Sequence, residues 1–186
     1  MSTSTKRRPV IITVAVAAAM ISCVLLIQCE TNPTSTSSST DSHAHIDPLD
    51  PVGASPEAVA INAITIIHSW RPSHDNAPWQ ALHRATALLT HPIVQAASTP
   101  PNPPPRPIPE WDGWARSRDQ LSAAVTILEP ATLTGATATV PVRLAQIVLH
   151  PDGLTTPWRT TTLRVELARD GDIWRVGSYT TVAVSR

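Results

Sequence analysis

Hydrophobic and polar positions follow three different patterns along the chain. Residues 10–27 are apolar throughout, with no charge and only Thr13 and Ser22 as hydroxyls, and they follow Lys6, Arg7 and Arg8. Eighteen helical residues rise about 27 Å, close to the roughly 30 Å hydrocarbon core, which predicts a membrane-spanning helix over 10–28. From residue 56 the apolar positions recur every three or four. Val59, Ala63, Ile66 and Trp70 make one stripe, with Ala60, Ile64 and Ile67 beside it. This predicts a helix capped by Ser55 with Pro56 at its first position, and ended by Pro72. Asp75 or Asn76 starts a second helix in which Trp79, Leu82, Thr86 and Leu89 keep the same spacing up to His91-Pro92. A short third helix is expected over 110–118. The last third alternates instead. Strands are predicted around 121–127, within 136–149, around 161–167 and over 173–184, with Pro151-Asp152-Gly153 and Asp170-Gly171 as turns. Pro141 has no N–H to give a ladder, so it marks a bulge or a sheet edge.

The connecting segments have their own composition. Residues 29–55 form a Ser/Thr/Pro-rich linker with seven consecutive hydroxyl residues at 34–40, too polar to fold alone. A flexible chain of that length spans roughly 25–30 Å, enough to hold a domain clear of a bilayer. Seven of the ten residues 100–109 are proline, which predicts an extended strap of about 3.1 Å per residue. Its Pro104, Arg106 and Pro107 are compatible with a proline-reading partner, but a stiff link within one domain is the simpler use.

These elements divide the chain into a cytoplasmic basic N-terminus (1–9), the anchor (10–28), the linker (29–55) and an extracytoplasmic domain (56–186). Basic residues ahead of the apolar run set this orientation, with the N-terminus inside. Two rival readings remove or modify the run. A cleaved signal usually has an apolar stretch of about 7–15 residues, and no small-residue site follows Ile27. A lipobox-like Met20-Ile21-Ser22-Cys23 makes Cys23 the candidate lipidation site, although cleavage there would leave Val24-Leu25-Leu26-Ile27 at the mature terminus. Cys23 and Cys29 are the chain's two cysteines, so the external domain has no disulfide framework and no thiolate metal site.

Overall charge is balanced at 14 basic and 14 acidic residues, but three of the basic ones precede the anchor. The remaining 11 arginines against 14 carboxylates give an exterior of −3, which argues against a nucleic-acid partner. Lys6 is the single lysine and phenylalanine is absent, a skew that fits a GC-rich, actinobacterial cell envelope.

Helices first and a meander last predict an α+β domain, with two to three helices packed on one face of a curled four-stranded antiparallel sheet. The ending Leu163-Arg164-Val165-Glu166-Leu167, then Asp170-Gly171-Asp172-Ile173-Trp174-Arg175-Val176, resembles the last hairpin of the cystatin-like cone fold of the nuclear-transport-factor-two superfamily. With its anchor, the chain resembles inner-membrane assembly proteins of type IV secretion and conjugation channels, including the TcpC kind, and the Mce-associated membrane proteins of actinobacteria. The proline strap is a feature of neither. The resemblance implies a non-enzymatic single-pass protein whose external domain mediates protein–protein assembly, with envelope or secretion-channel proteins, or further copies of itself, as partners. Polyketide-cyclase-like relatives imply the alternative, an anchored small-molecule binder or enzyme with a His/Asp pair inside the cone. A surface lipoprotein is the third reading.

For the enzymatic alternative the chain offers His68, His74, Asp75, His83 and His91, of which His68, near the buried stripe, is the candidate pocket residue. His43 and His45 with Asp47 have metal-ligand chemistry but sit in the linker without a supporting shell, so no metal and no cofactor is expected. Gly-rich phosphate loops, nucleophile elbows and zinc-helix motifs do not occur in the sequence. Trp70, Trp79 and Trp174 fit buried faces, whereas Trp111, Trp114 and Trp158, beside turns or the strap, are candidate partner anchors. Arg143, Arg159 and Arg164 are expected to form a patch on the solvent side of the sheet, with Arg175 near them.

Overall fold

The computed structural model describes residue 47 and residues 49–185. The expected anchor, Cys23, His43, His45 and most of the linker lie outside the described residues. Among the described residues no helix is long and apolar enough to cross a membrane.

Helix α1 (Pro56–His68) starts as its sequence dictates. The Ser55 hydroxyl accepts a hydrogen bond from Ala58 N, proline occupies the first turn, and Glu57 sits where the helix dipole favours an anion. The Glu57 carboxylate also accepts from Ala131 N at 3.0 Å, which joins the helix start to the sheet edge and holds its pKa below the ordinary value. The buried face is Val59, Ala60, Ala63, Ile64 and Ile67. The helix stops four residues before Pro72, because Trp70 leaves it to pair with Leu121 through reciprocal backbone bonds of 2.9 Å.

The expected second helix is broken into pieces. Helix α2 covers only Trp79–Arg84, a 3-10 turn follows at Thr86–Leu88, and Leu89 then turns extended to lie beside Val176. Leu89 has the right spacing for the helix, but sheet pairing takes its backbone. Helix α3 (Ile93–Ser98) was not foreseen, whereas α4 (Trp111–Ser117) matches the expected short helix and ends at Arg118 in the left-handed region.

The sheet is antiparallel, with β1 (Gln120–Ile127), β3 (Thr137–Leu149), β4 (Thr155–Asp170) and β5 (Ile173–Ser185) side by side in that order. A three-residue strand, β2 (Thr132–Thr134), pairs with the start of β3. Five strands therefore stand where four were expected, because one edge of the sheet is interrupted at 128–131. Pro141 lies opposite this gap. Its carbonyl accepts from Leu128 N, so the missing donor faces the place where β1 has ended and β2 has not begun.

Alternation then builds the core. Ala138, Val140, Val142 and Leu144 of β3, with Leu163, Val165 and Leu167 of β4, turn inward beneath α1 together with Trp174 and Val176 of β5. Each large aliphatic side chain fully buried here is worth about 1.5–3 kcal/mol. A second cluster closes one end of the sheet: Trp70, Ala81, Trp114, Leu121 and Val148, with Ile108, Trp111 and Trp158 against them.

Candidate functional site

His68 is the last residue of α1 and its ring meets Tyr179 edge-on at 5.7 Å and Trp70 at 6.3 Å. The residue keeps some surface, but both ring nitrogens are shielded from solvent and have no hydrogen-bond partner among the described residues. Burial, helped by the positive charge of Arg159, pushes the imidazole down to about 4. The ring is therefore neutral at neutral pH, far from the poise an acid–base catalyst needs. Burial likewise raises the Tyr179 phenol. Beside this pair, Gln146 is fully buried; its amide donates to the His68 carbonyl at 2.9 Å and accepts from Arg159 at 3.2 Å. The Arg159 guanidinium lies 4.2 Å from the centre of the Trp158 ring.

Trp111, Trp114 and Trp158, the candidate partner anchors, are brought together around Trp70. Trp114 meets Trp158 at 5.1 Å with perpendicular planes, Trp158 meets Trp70 at 5.7 Å, and Trp70 meets Trp111 at 5.8 Å. Trp114 and Trp70 are buried, and Trp111 and Trp158 are half-buried. The rings chiefly occupy one another. Trp174 is in the core as expected, but Trp79 is only half-buried, in edge contact with His83. Over the cluster runs the proline strap. Pro104 and Pro107 with Pro78, Trp70 and Trp111 line a groove of about 590 Å³, whose rim carries Arg106 and Asp112.

The arginines separate by face. Arg143 and Arg164 are exposed on the outer side of the sheet, opposite Thr162 and Pro141. Arg159 pairs with Gln146 and points to the helix side, so it does not join them. Asp75 is buried and accepts two bonds from Arg84, at 2.6 and 3.1 Å, and one from Arg71 N. Burial opposes the Asp75 charge, but those bonds prevail and keep its pKa low. His83 contacts the Ala97 carbonyl, and His74 lies against Ser73. Among the described residues no three His, Cys, Asp or Glu side chains are placed to hold a metal, and Asp47 is exposed.

One constellation escaped the sequence reading. Ser117 donates to Asp119 at 2.7 Å, the other oxygen of Asp119 meets His150 Nδ1 at 2.9 Å, and His150 Nε2 meets the Thr156 hydroxyl at 2.9 Å. Asp119 is buried, and the Ser117 bond first, then His150, hold its carboxyl below the usual range. Asp119 immediately precedes β1 and His150 immediately follows β3, and the pairing of Gln120 with Leu149 makes them neighbours. Strand register was the signal. The order hydroxyl–imidazole–carboxylate suits proton transfer, but the groove at the strap does not reach Thr156. What the set does mechanically is fasten the end of α4 to the β3–β4 turn.

No family model matches the chain, and no curated protein matches it. Among solved structures it is similar to the Agrobacterium tumefaciens VirB8 protein, at 14% identity and a TM-score of 0.42, covering 74% of this chain and 98% of that one. It is also similar to the intermembrane space region of the chloroplast protein ARC6, at 15% identity and a TM-score of 0.29, covering 56% of this chain and 78% of that one. Superpositions this loose bear on neither the family nor the chemistry of this chain.

Proposed function

We propose that this chain is a single-pass envelope protein whose external α+β domain is an assembly module, binding other proteins of a secretion or conjugation apparatus. The observation that carries this reading is the filled space between α1 and the sheet. His68, Trp70, Tyr179, Trp158 and Gln146 lie where an enclosed small-molecule site would have to open, and the imidazole there is held neutral without a proton partner. Recognition then falls to the outside of the domain. Apolar anchor, polar linker and compact outer domain suit a component held in place beside its partners. Photo-cross-linking of the full chain in intact cells tests the role, with probes at exposed Arg143 and Arg164. Covalent products with other envelope proteins, and impaired transfer or secretion after deletion, are expected; monomer alone with normal transfer would overturn it. An intact N-terminus by mass spectrometry would exclude lipidation at Cys23.

A further inference from the structure

We infer that the outer edge of β5 is a pairing surface for a second copy of this chain, joining two sheets antiparallel across a two-fold axis. The inference rests on the assembly role proposed above and names one of its partners.

Strand β5 is last in the sheet, so one side of its backbone faces away from β4. The first part of that edge is covered. Val52 bridges Ile173, Leu89 bridges Val176, and Thr90 N donates to the Val176 carbonyl at 2.8 Å. Past Gly177 the backbone pairs of β5 among the described residues are with β4 alone. Residues 180–185 are all exposed, with Val182 at 58% and Val184 at 55%. From 176 to 185 the sequence carries neither charge nor proline, two of the usual protections of a free edge. The opposite edge of the sheet is protected: it is broken at 128–131, where Glu129 and Pro130 stand.

Three observations favour a second copy. An edge without charge meets its own image without repulsion and offers a charged partner no complement. Thr180, Thr181, Val182 and Val184 give β-branched residues to pair with β-branched residues when the strand is reversed against itself, which makes a closed, self-complementary contact. In addition, 46 residues precede the described part, including the expected anchor and linker, and two copies tethered to one membrane meet at raised effective concentration. A bulge leaves Val182 without a partner in β4 and bends the edge. The ladder is therefore short and the contact reversible.

The test uses the full chain in phosphatidylcholine vesicles with Cys23→Ser and Cys29→Ser, carrying either Val182→Cys on β5 or Thr126→Cys on β1, treated with a short bismaleimide. Dimer is expected from V182C and little from T126C. Adding Val184→Lys should lower the V182C dimer about tenfold, since a lysine on a free edge opposes its pairing with another strand, while tryptophan fluorescence stays native. Equal dimer from the two positions, or no response to V184K, would overturn the edge contact. The same cysteine chains cross-linked in cells separate the two ideas: other envelope proteins captured without β5-dependent dimer would sink this inference alone, and no captured protein at all would sink the assembly role with it.

Discussion

The two apolar clusters of this domain are built on opposite plans. The larger is aliphatic and periodic, one helix face laid on alternate residues of three long strands, with Ile64, Val140, Val142 and Val165 wholly inaccessible. The smaller is aromatic and assembled from single residues of many elements: Trp70 after α1, Ala81 of α2, Trp114 of α4, Leu121 of β1 and Val148 of β3. The first derives its order from repeating geometry. The second depends on a strap, a short helix and a polar pin to bring distant rings together, so it should yield first and without taking the main core with it.

The largest effect should separate them directly. Leu163→Ala, in the centre of the main core, is expected to destabilise the whole domain by about 2–5 kcal/mol, and Trp114→Ala by about 3–5 kcal/mol. The character of the loss should differ. Hydrogen exchange of the full chain in micelles should show L163A speeding exchange throughout the sheet, but W114A doing so first in α4 and the residues around Trp158. Uniform acceleration in both variants would mean that the clusters are one cooperative unit.

A second comparison uses pH. The His68 imidazole titrates near 4 in the fold against an ordinary value of 6.5, so the unfolded chain takes up its proton first as pH falls. The stability this provides is complete above about pH 6.5, and is lost as pH drops from there towards 4, by about 3 kcal/mol in all. The lowered carboxylates Glu57, Asp75 and Asp119 make their losses further down, through and below their ordinary values of 3.8–4.5. Urea midpoints between pH 7.5 and 5 therefore read the His68 loss apart from those carboxylates, and His68→Leu should flatten the curve across that window. An unchanged slope in the variant would show that the ring is not the group responsible.

Much of the first cluster could be read from the sequence, and hardly any of the second. Ser55 and Pro56 announce α1, and the alternation of Leu163, Val165 and Leu167 announces β4, because capping and period are local properties. The helix expected from Asn76 to His91 was misread for a physical reason: Trp79, Leu82, Thr86 and Leu89 have helical spacing, but tertiary pairing with Val176 claims Leu89. The meeting of Trp70 with Trp158 links positions far apart in the chain, and no local pattern encodes it. Arg143, Arg159 and Arg164 all lie on strands, but Arg159 shares the parity of Thr161, Leu163, Val165 and Leu167 and so faces inward, a difference that the alternation along β4 itself carries. The pin of Asp119 and His150 becomes visible only when Gln120 is known to face Leu149.

That pin gives a smaller and local prediction. Asp119→Asn keeps the shape but removes the charge that Ser117 and His150 hold, and a buried hydrogen bond to a charged group is worth about 1.5–3 kcal/mol. The loss should fall on the second cluster, read as faster exchange at α4 and the β3–β4 turn with the α1 amides unchanged. Faster exchange in α1 as well would place the pin in the main core's account of stability.

The smallest expected change in stability carries the most information about function. Arg143 and Arg164 stand exposed on the outer face, on neighbouring strands, and touch neither cluster. Exposed substitutions away from caps, cores and buried pairs usually shift stability by less than about 0.5 kcal/mol. Arg143→Ala with Arg164→Ala should therefore leave the urea midpoint of the full chain within error of the parent. If the same double variant loses cross-linked partners in cells, the loss is one of contact rather than folding, and the outer sheet face is part of the assembly surface. If partners are retained while either Val184→Lys or disruption of the strap groove removes them, recognition lies at the edge or the groove. A large drop in stability would mean that the outer face supports the fold, and the contrast between periodic core and assembled cluster would need a third member.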